Sequence, residues 1–320
     1  MALRIIHGWQ ALTPDQRGAS LAYGNFDGLH RGHREVIRDA LTVAQGFRIP
    51  LAVSTFEPHP RRFFQPHAEP FRLMSLAQQA RVLEELGVDL FYVLPFTAEV
   101  AQMSDEAFAE TVFARGLGVK HVAVGFDVTF GKDRTGDVES LARYGKRMGF
   151  TVSMRPKYGD AEFTPGLQNP ELDKYSSSAV RDALKAGEAG KAAKIMGRFF
   201  AIEGEVMRGQ QLGRTLGFPT ANVALGDYVV PRLGVYATRT RLPDGREAAG
   251  VANLGRNPTT GLVEPRLEVF LFDFDEDLYG EVIETELIHF IRPELKFDSL
   301  EAMIEQMHKD GAEARRWPGR

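Results

Sequence analysis

The hydrophobic rhythm of this chain changes once, near residue 186, and that change dictates what each half can become. Up to residue 154, short apolar runs alternate with amphipathic stretches; past residue 199 the runs follow one another with only turns between them. The first pattern predicts strands at Ala19–Tyr23, Pro50–Phe56, Val88–Leu94, Lys120–Val124 and Phe150–Met154. Between the first two, HREVIRDALTVAQG places Val36, Ile37, Ala40, Leu41 and Ala44 on one helical face and stops at Gly46. Leu76–Leu86, Asp105–Arg115 and Val138–Met148 read as further helices. Repeated strand–helix units build a parallel sheet covered on both faces. Such a sheet binds ligands at the carboxyl ends of its strands, beside helix N-termini.

Around Ser176–Met196 the pattern is helical twice over, broken at Gly187 and Gly190, and the domain boundary is placed there: 1–186 and 187–320. Beyond it, strands are expected at Phe199–Met207, Ala221–Ala224, Gly234–Arg241, Ala248–Leu254, Arg266–Phe274 and Glu281–Ile291. Six closely spaced strands suggest a small antiparallel barrel. A last helix, Ser299–Arg316, carries Leu300, Met303, Ile304 and Met307 on one stripe.

Composition excludes several classes. With no cysteine there are no disulfides and no thiolate metal sites, which suits a reducing compartment. A net charge of −4 gives no electrostatic reason to expect nucleic acid. No stretch approaches the roughly 18 apolar residues of a membrane helix, and the N-terminal apolar run is too short for a secretory signal. The expectation is a cytoplasmic protein.

Residues 24–33 read GNFDGLHRGH, between the end of the first strand and the first helix. Backbone N–H groups at a helix start attract anions, and glycine lets a phosphate approach the main chain. His30 and His33 can each donate to phosphate oxygens, with the helix dipole adding favourable potential. Zinc would need a third ligand, and no HExxH or comparable spacing follows. Two solvated histidines on a turn would be the plain alternative for an isolated pair. The position after strand one of an α/β pattern favours phosphate.

In the second half, GEVMRGQQLGRTLGFPTANV (204–223) is a glycine-rich flap leading into a short strand. Thr220 and Asn222 are oxygen donors on one side of that strand, since i and i+2 share a face. Such donors can help hold a hydrated Mg²⁺ bridging nucleotide phosphates, although an ordinary glycine-rich hairpin reads the same way. Two other patterns are set aside. Gly125 to Gly131-Lys132 echoes a P-loop, but the glycines are one residue too far apart and Asp133 replaces Ser/Thr. DFDEDLYGEVIE (273–284) has acids at four positions of a calcium loop, but Leu278 stands where that loop needs glycine.

H-x-G-H after G-x-F-D-G is similar to the signature of the nucleotidyltransferase superfamily. With TFEPHP (55–60), VGFDVTFGKDRTGD (124–137) and SSSAVRDAL (176–184), it resembles the adenylyltransferase half of the bacterial bifunctional riboflavin kinase/FMN adenylyltransferase family, the prokaryotic FAD synthetases. The glycine flap with PTAN, GVANLGRNPT (250–259), RLEVFLFDFDEDLYG (266–280) and KFDSLEAMIEQMHKD (296–310) resemble its kinase barrel. The resemblance spans residues 18 to 311, with the motifs in family order.

It implies a Rossmann-like nucleotidyltransferase domain with a parallel sheet, followed by a six-stranded antiparallel β-barrel kinase domain with a C-terminal helix. Riboflavin, FMN and ATP are the implied substrates, and Mg²⁺ the implied metal. In the first site, His30, His33 and Arg181 would hold the ATP triphosphate, Ser177 and Ser178 lie in the helix-capping motif, and Gly24 and Gly32 give backbone access. Asn25 and Asp27 orient the loop or a metal-bound water, and Asp127 contacts FMN or the nucleotide. In the second, Glu268 is the general base on the riboflavin 5′-hydroxyl, Thr220 and Asn222 serve Mg²⁺, and Gly209 and Gly213–Gly217 cradle phosphates. From the residues alone Glu268 could equally face solvent. Two departures stand out: Phe270 where histidine is frequent, and Tyr175, after the unusual FTPGLQNPELDKY segment, where a β-branched residue is common. Rival expectations are a relative with one active half and a flavin-binding regulator without turnover.

Overall fold

The computed structural model describes residues 2–156, 175–208, 219–256 and 265–317. They form two compact units, Met1–Ala68 with Leu76–Tyr175, and Glu69–Ser75 with Ser176–Arg320.

The first unit is built on β1 (Arg4–His7), β2 (Ser20–Tyr23), β3 (Leu51–Glu57), β4 (Leu90–Pro95), β5 (His121–Gly125) and β6 (Thr151–Arg155). Every pairing is parallel, in the order β1-β4-β3-β2-β5-β6. From β2 the chain winds outward one way through β3 and β4, then returns to β5 and β6 on the other side. The carboxyl ends of β2 and β5 therefore flank the point where the winding direction reverses, the place where open α/β sheets bind ligands. Helix α1 (Arg31–Phe47) buries Val36, Ile37, Ala40 and Ala44 of the predicted stripe, with Leu41 half-buried at its edge. It runs one residue past Gly46, with Arg48 as its left-handed C-cap. Helices α2 (Pro60–Phe64), α3 (Leu76–Glu85), α4 (Ala98–Gln102), α5 (Asp105–Phe108) and α6 (Val138–Met148) complete the unit.

Two expectations need correction. The sequence reading left out β1: RIIH is a four-residue edge strand with only Ile6 buried, and Ile5 is 50% exposed, too little apolar pattern to register. The helix expected over Asp105–Arg115 is α-helical only to Phe108 and continues as a wide, i→i+5 helix over Ala109–Leu117. There Gly116 faces the buried Trp9, where a Cβ would lie 2.6 Å from the indole Cδ1.

The second unit opens with α7 (Ser177–Ala186) and α8 (Ala189–Met196), each ended by a left-handed glycine, Gly187 and Gly197. Strands β7 (Ala201–Met207), β8 (Thr220–Ala224), β9 (Gly234–Arg241), β10 (Glu247–Gly255), β11 (Arg266–Leu271) and β12 (Val282–Arg292) close an antiparallel barrel in the order β10-β11-β8-β7-β12-β9. The expected six-stranded barrel is the one observed. Helix α9 (Leu300–Ala314) is pinned to it by Asp310, whose buried carboxylate receives Arg292 through Nε at 2.9 Å and Nη2 at 2.6 Å. The segment Glu69–Ser75 packs with this unit: Phe71, Leu73 and Met74 are buried, and the Phe71 and Arg72 amides donate to the Asp227 carbonyl.

Candidate active sites

At the end of β2 the chain makes a tight loop before α1. Phe26, Gly28 and Leu29 all take left-handed backbone, and the Leu29 amide closes a turn on the Phe26 carbonyl at 3.0 Å. Thr55 at the end of β3 anchors the loop by donating its hydroxyl to the Asn25 carbonyl. Asp27 is buried within the loop and Asn25 is exposed. His30 is the N-cap of α1: its Nδ1 accepts from the His33 amide at 3.3 Å. That bond fixes the tautomer. With Nδ1 accepting, the neutral ring carries its proton on Nε2. The two imidazoles stack at 3.5 Å and 23°, and Phe26 meets His33 edge-on at 5.1 Å. Gly32 makes room for this pair, since a Cβ there would sit 3.2 Å from the His30 ring. The helix cap and the stacked histidine pair are thus one device.

The same sheet edge carries Asp127, exposed just after β5, and Phe126, half exposed beside it. It also carries an aromatic group that sequence reasoning did not single out. Phe63 and Phe64 of α2 both meet Phe96, which follows β4, at 5.2 and 5.6 Å, and Phe64 is 64% exposed. The signal was present in PRRFF directly after TFEPHP, but aromatic residues there read equally as core.

In the second unit Ser176 caps α7, accepting from the Ala179 amide, and Ser177 and Ser178 occupy the first turn. Arg181, one turn further, donates Nε to the Phe71 carbonyl at 2.7 Å and lies over the Phe71 ring.

In the barrel the strand register does the assembling. Glu268 of β11 lies directly opposite Asn222 of β8 and Asn253 of β10, while Phe270 lies opposite Thr220. Directly paired residues share a face of the sheet, so Asn253, Glu268 and Asn222 form one row across three strands, with Thr220 and Phe270 beside it. Asn253 is the addition to the predicted set; in GVANLG it looked like one more polar residue of an alternating strand. Asn222 is buried and its Nδ2 donates to the Thr220 carbonyl. Burial pushes the Glu268 carboxyl above the usual range; Arg266 opposes this and the charge of Glu294 adds to it.

A cavity of about 270 Å³ is lined by Thr220 and Asn222 of β8, by Val269 and Leu271 of β11, and by Phe274, Asp275, Asp277 and Tyr279 of the β11–β12 connection. The acidic segment that echoed a calcium loop is therefore a wall of this cavity, flanked by strands. Gly209, Gly213 and Gly217 lie outside the described residues.

A parallel α/β domain with an H-x-G-H loop at its switch point, and a closed barrel with a carboxylate facing PTAN, define a two-domain enzyme with a nucleotide site in each part. Comparison with known proteins agrees. A family model described as FAD synthetase matches residues 12–164, and one described as riboflavin kinase matches 196–318. The chain is 37% identical to the bifunctional riboflavin kinase/FMN adenylyltransferase of Haemophilus influenzae, covering 96% of this chain and 97% of that protein. The same-named proteins of Pseudomonas fluorescens and Escherichia coli K12 are 39% and 36% identical, over 98% and 99% of this chain and 97% and 98% of theirs. A Streptococcus pneumoniae crystal structure named as a macrolide-efflux protein shares the fold, with a TM-score of 0.83 and 30% identity over 98% of this chain and 99% of that one. Its name conflicts with the other comparisons, and the two family models, which match each domain separately, carry more weight. No helix of the described residues is long and apolar enough to cross a membrane. The chain belongs to the bifunctional riboflavin kinase/FMN adenylyltransferase family.

Proposed function

We infer that the barrel phosphorylates riboflavin to FMN with ATP, and that the α/β domain joins FMN to the AMP part of a second ATP, releasing pyrophosphate. The observation that carries the kinase assignment is the register Glu268↔Asn222, which sets a carboxylate directly opposite a residue of the cavity wall. Glu268 accepts the proton of the riboflavin 5′-hydroxyl as its oxygen attacks the γ-phosphorus. A carboxylate whose affinity for protons is raised by burial is a better base for that task. The donor chemistry of Thr220 and Asn222, a hydroxyl and an amide oxygen, suits a hard cation. Mg²⁺ bound there would neutralise phosphate charge during transfer. The cavity takes the nucleotide.

In the adenylyltransferase half the FMN phosphate is itself the nucleophile, attacking the α-phosphorus, so no covalent enzyme intermediate is required. Catalysis rests on positioning and charge stabilisation. His30 and His33 donate to the triphosphate, Gly24 and Gly32 keep the main chain accessible, and Ser177 and Ser178 offer donors at the start of α7. Buried Asp27 shapes the loop, exposed Asn25 lies at its rim, and Asp127 faces the flavin nucleotide. The exposed Phe64 ring, packed against half-buried Phe96, offers an apolar platform for an isoalloxazine. By its place in the SSSAVR motif, Arg181 is assigned to the triphosphate. A cytoplasmic location belongs to the same reading.

The test is to incubate the protein with riboflavin, ATP and Mg²⁺ and separate the flavins by chromatography. FMN followed by FAD is expected. FMN that never becomes FAD would leave a kinase alone, and no conversion would leave a flavin-binding regulator.

A further inference from the structure

Helix α1 presents its catalytic histidines at its first turn, so their placement depends on where the whole helix sits along the sheet. Its sheet-facing residues are Val36, Ile37, Ala40 and Ala44, apolar and partly small. Apolar contact is not directional, and alanines offer shallow ridges that resist sliding poorly. One residue of slippage moves a helix by about 1.5 Å. Something directional must set the register, and two polar tethers do so. Ser20 of β2 donates its hydroxyl to the Ala40 carbonyl at 2.7 Å. The second is an ion cluster nearer the histidines. Glu35, two residues after His33, is the buried carboxylate of α1. It accepts from Arg155, the last residue of β6, at 2.7 Å and from Arg38 at 2.8 Å, and the second arm of Arg155 reaches Asp39 at 3.2 Å. The forked guanidinium thus holds two successive turns of α1 from a fixed point on the sheet. Charged, two-armed hydrogen bonds have the geometric specificity that the apolar face lacks.

We propose that Arg155 is a positioning residue for adenylyl transfer: by gripping Glu35 and Asp39 it fixes the axial register of α1, and so the distance of His30 and His33 from the reacting phosphates. This rests on the assignment of those histidines made above. The side-chain bonds of Arg155 among the described residues run to Glu35 and Asp39, so its effect runs through the helix.

The test uses the full chain. In Arg155→Met, the kcat of FMN adenylylation should fall 10- to 100-fold, the range expected when a misplacement of about 1 Å reaches a catalytic group. Riboflavin phosphorylation should stay within twofold, and the KM for FMN should change far less than kcat. Glu35→Gln should reproduce the loss, and the double variant should be no worse than either single one, because both break the same tether. Arg155→Lys, which keeps the charge on Glu35, should restore most of the rate. Histidine ring NMR signals of His30 and His33 should shift in Arg155→Met and return in Arg155→Lys. An Arg155→Met protein that folds and adenylylates at the normal rate would overturn the proposal. So would additive losses in the double variant, or failure of both Arg155 variants to fold, which would make the cluster a determinant of the fold alone. His33→Ala is the control. If it abolishes adenylylation while Arg155→Met does not, only this inference fails; if His33→Ala is harmless, the histidine assignment fails first.

Discussion

Replacing Gly32 with alanine separates what the first loop does for stability from what it does for chemistry. Gly32 lies inside α1 with helical backbone, so alanine is conformationally acceptable, and exchanging a helical glycine for alanine is worth up to ~1 kcal/mol in favour of the helix. Its methyl, however, would sit 3.2 Å from Cε1 and Nδ1 of His30 and 3.3 Å from the Tyr175 carbonyl oxygen. Carbon contacts are comfortable at roughly 3.5–4.0 Å, so the His30 ring must withdraw by about half an ångström. That movement also strains the long bond from the His33 amide to His30 Nδ1. If about 1 Å costs ~100-fold, half that distance on a logarithmic scale costs about tenfold. Gly32→Ala should therefore form FAD from FMN and ATP about ten times more slowly, with riboflavin phosphorylation unaltered. Its melting temperature should stay within ~4 °C, since helix gain and steric cost oppose each other. Chromatographic product formation at saturating substrates and a circular-dichroism melt decide it. A normal FAD rate would show that the His30 ring position does not matter, and parallel loss of both activities would refute the separation of sites.

Other consequences can be checked alongside. Glu268→Gln should lower riboflavin phosphorylation by about 10²- to 10⁴-fold, the usual worth of a general base. Because the base must be ionised and burial raises its pKa, the kinase rate of the unmodified enzyme should fall with acid at a pH above the ordinary glutamate value of 4.5; a pH–rate profile reads this directly. Asn222→Leu should raise the Mg²⁺ concentration needed for half-maximal kinase rate while FMN adenylylation keeps its Mg²⁺ dependence. Asp310→Asn should destabilise the barrel by about 1–3 kcal/mol by leaving half-buried Arg292 without its carboxylate; denaturant unfolding of this variant should show the midpoint drop. Gly234→Ala should be worse still, because Gly234 has φ +147° and a Cβ there would lie 2.2 Å from the Arg292 carbonyl oxygen; soluble yield and melting temperature report it.

Where residues far apart in sequence had to find each other, the sequence said least. The sheet, the barrel and the H-x-G-H loop were legible because period-2 and period-3.6 patterns are local, and because a helix start after a first strand has a known position in such sheets. RIIH was not legible, since an edge strand with one buried residue lacks a pattern. Nor was the left-handed backbone at Phe26 and Leu29, conformations that no residue there advertises. Asn253 becomes meaningful only once the register sets it opposite Glu268. Arg155 and Glu35 are separated by 120 residues, and only the sheet order makes them neighbours. The role of Phe270, the departure from the family pattern, is clearer in the structure: it pairs across from Thr220 and meets Phe272 edge-on at 5.9 Å.

The central claim is that two independent sites act in sequence, and mixing two crippled proteins tests it most directly. Glu268→Gln and His33→Ala, each folded, are incubated singly and together with riboflavin, ATP and Mg²⁺. Alone, the first should leave riboflavin unchanged but convert added FMN to FAD, and the second should stop at FMN. Together they should restore FAD from riboflavin, because FMN released by one is adenylylated by the other. A mixture that makes no FAD, or a single variant that loses both steps, would contradict the account.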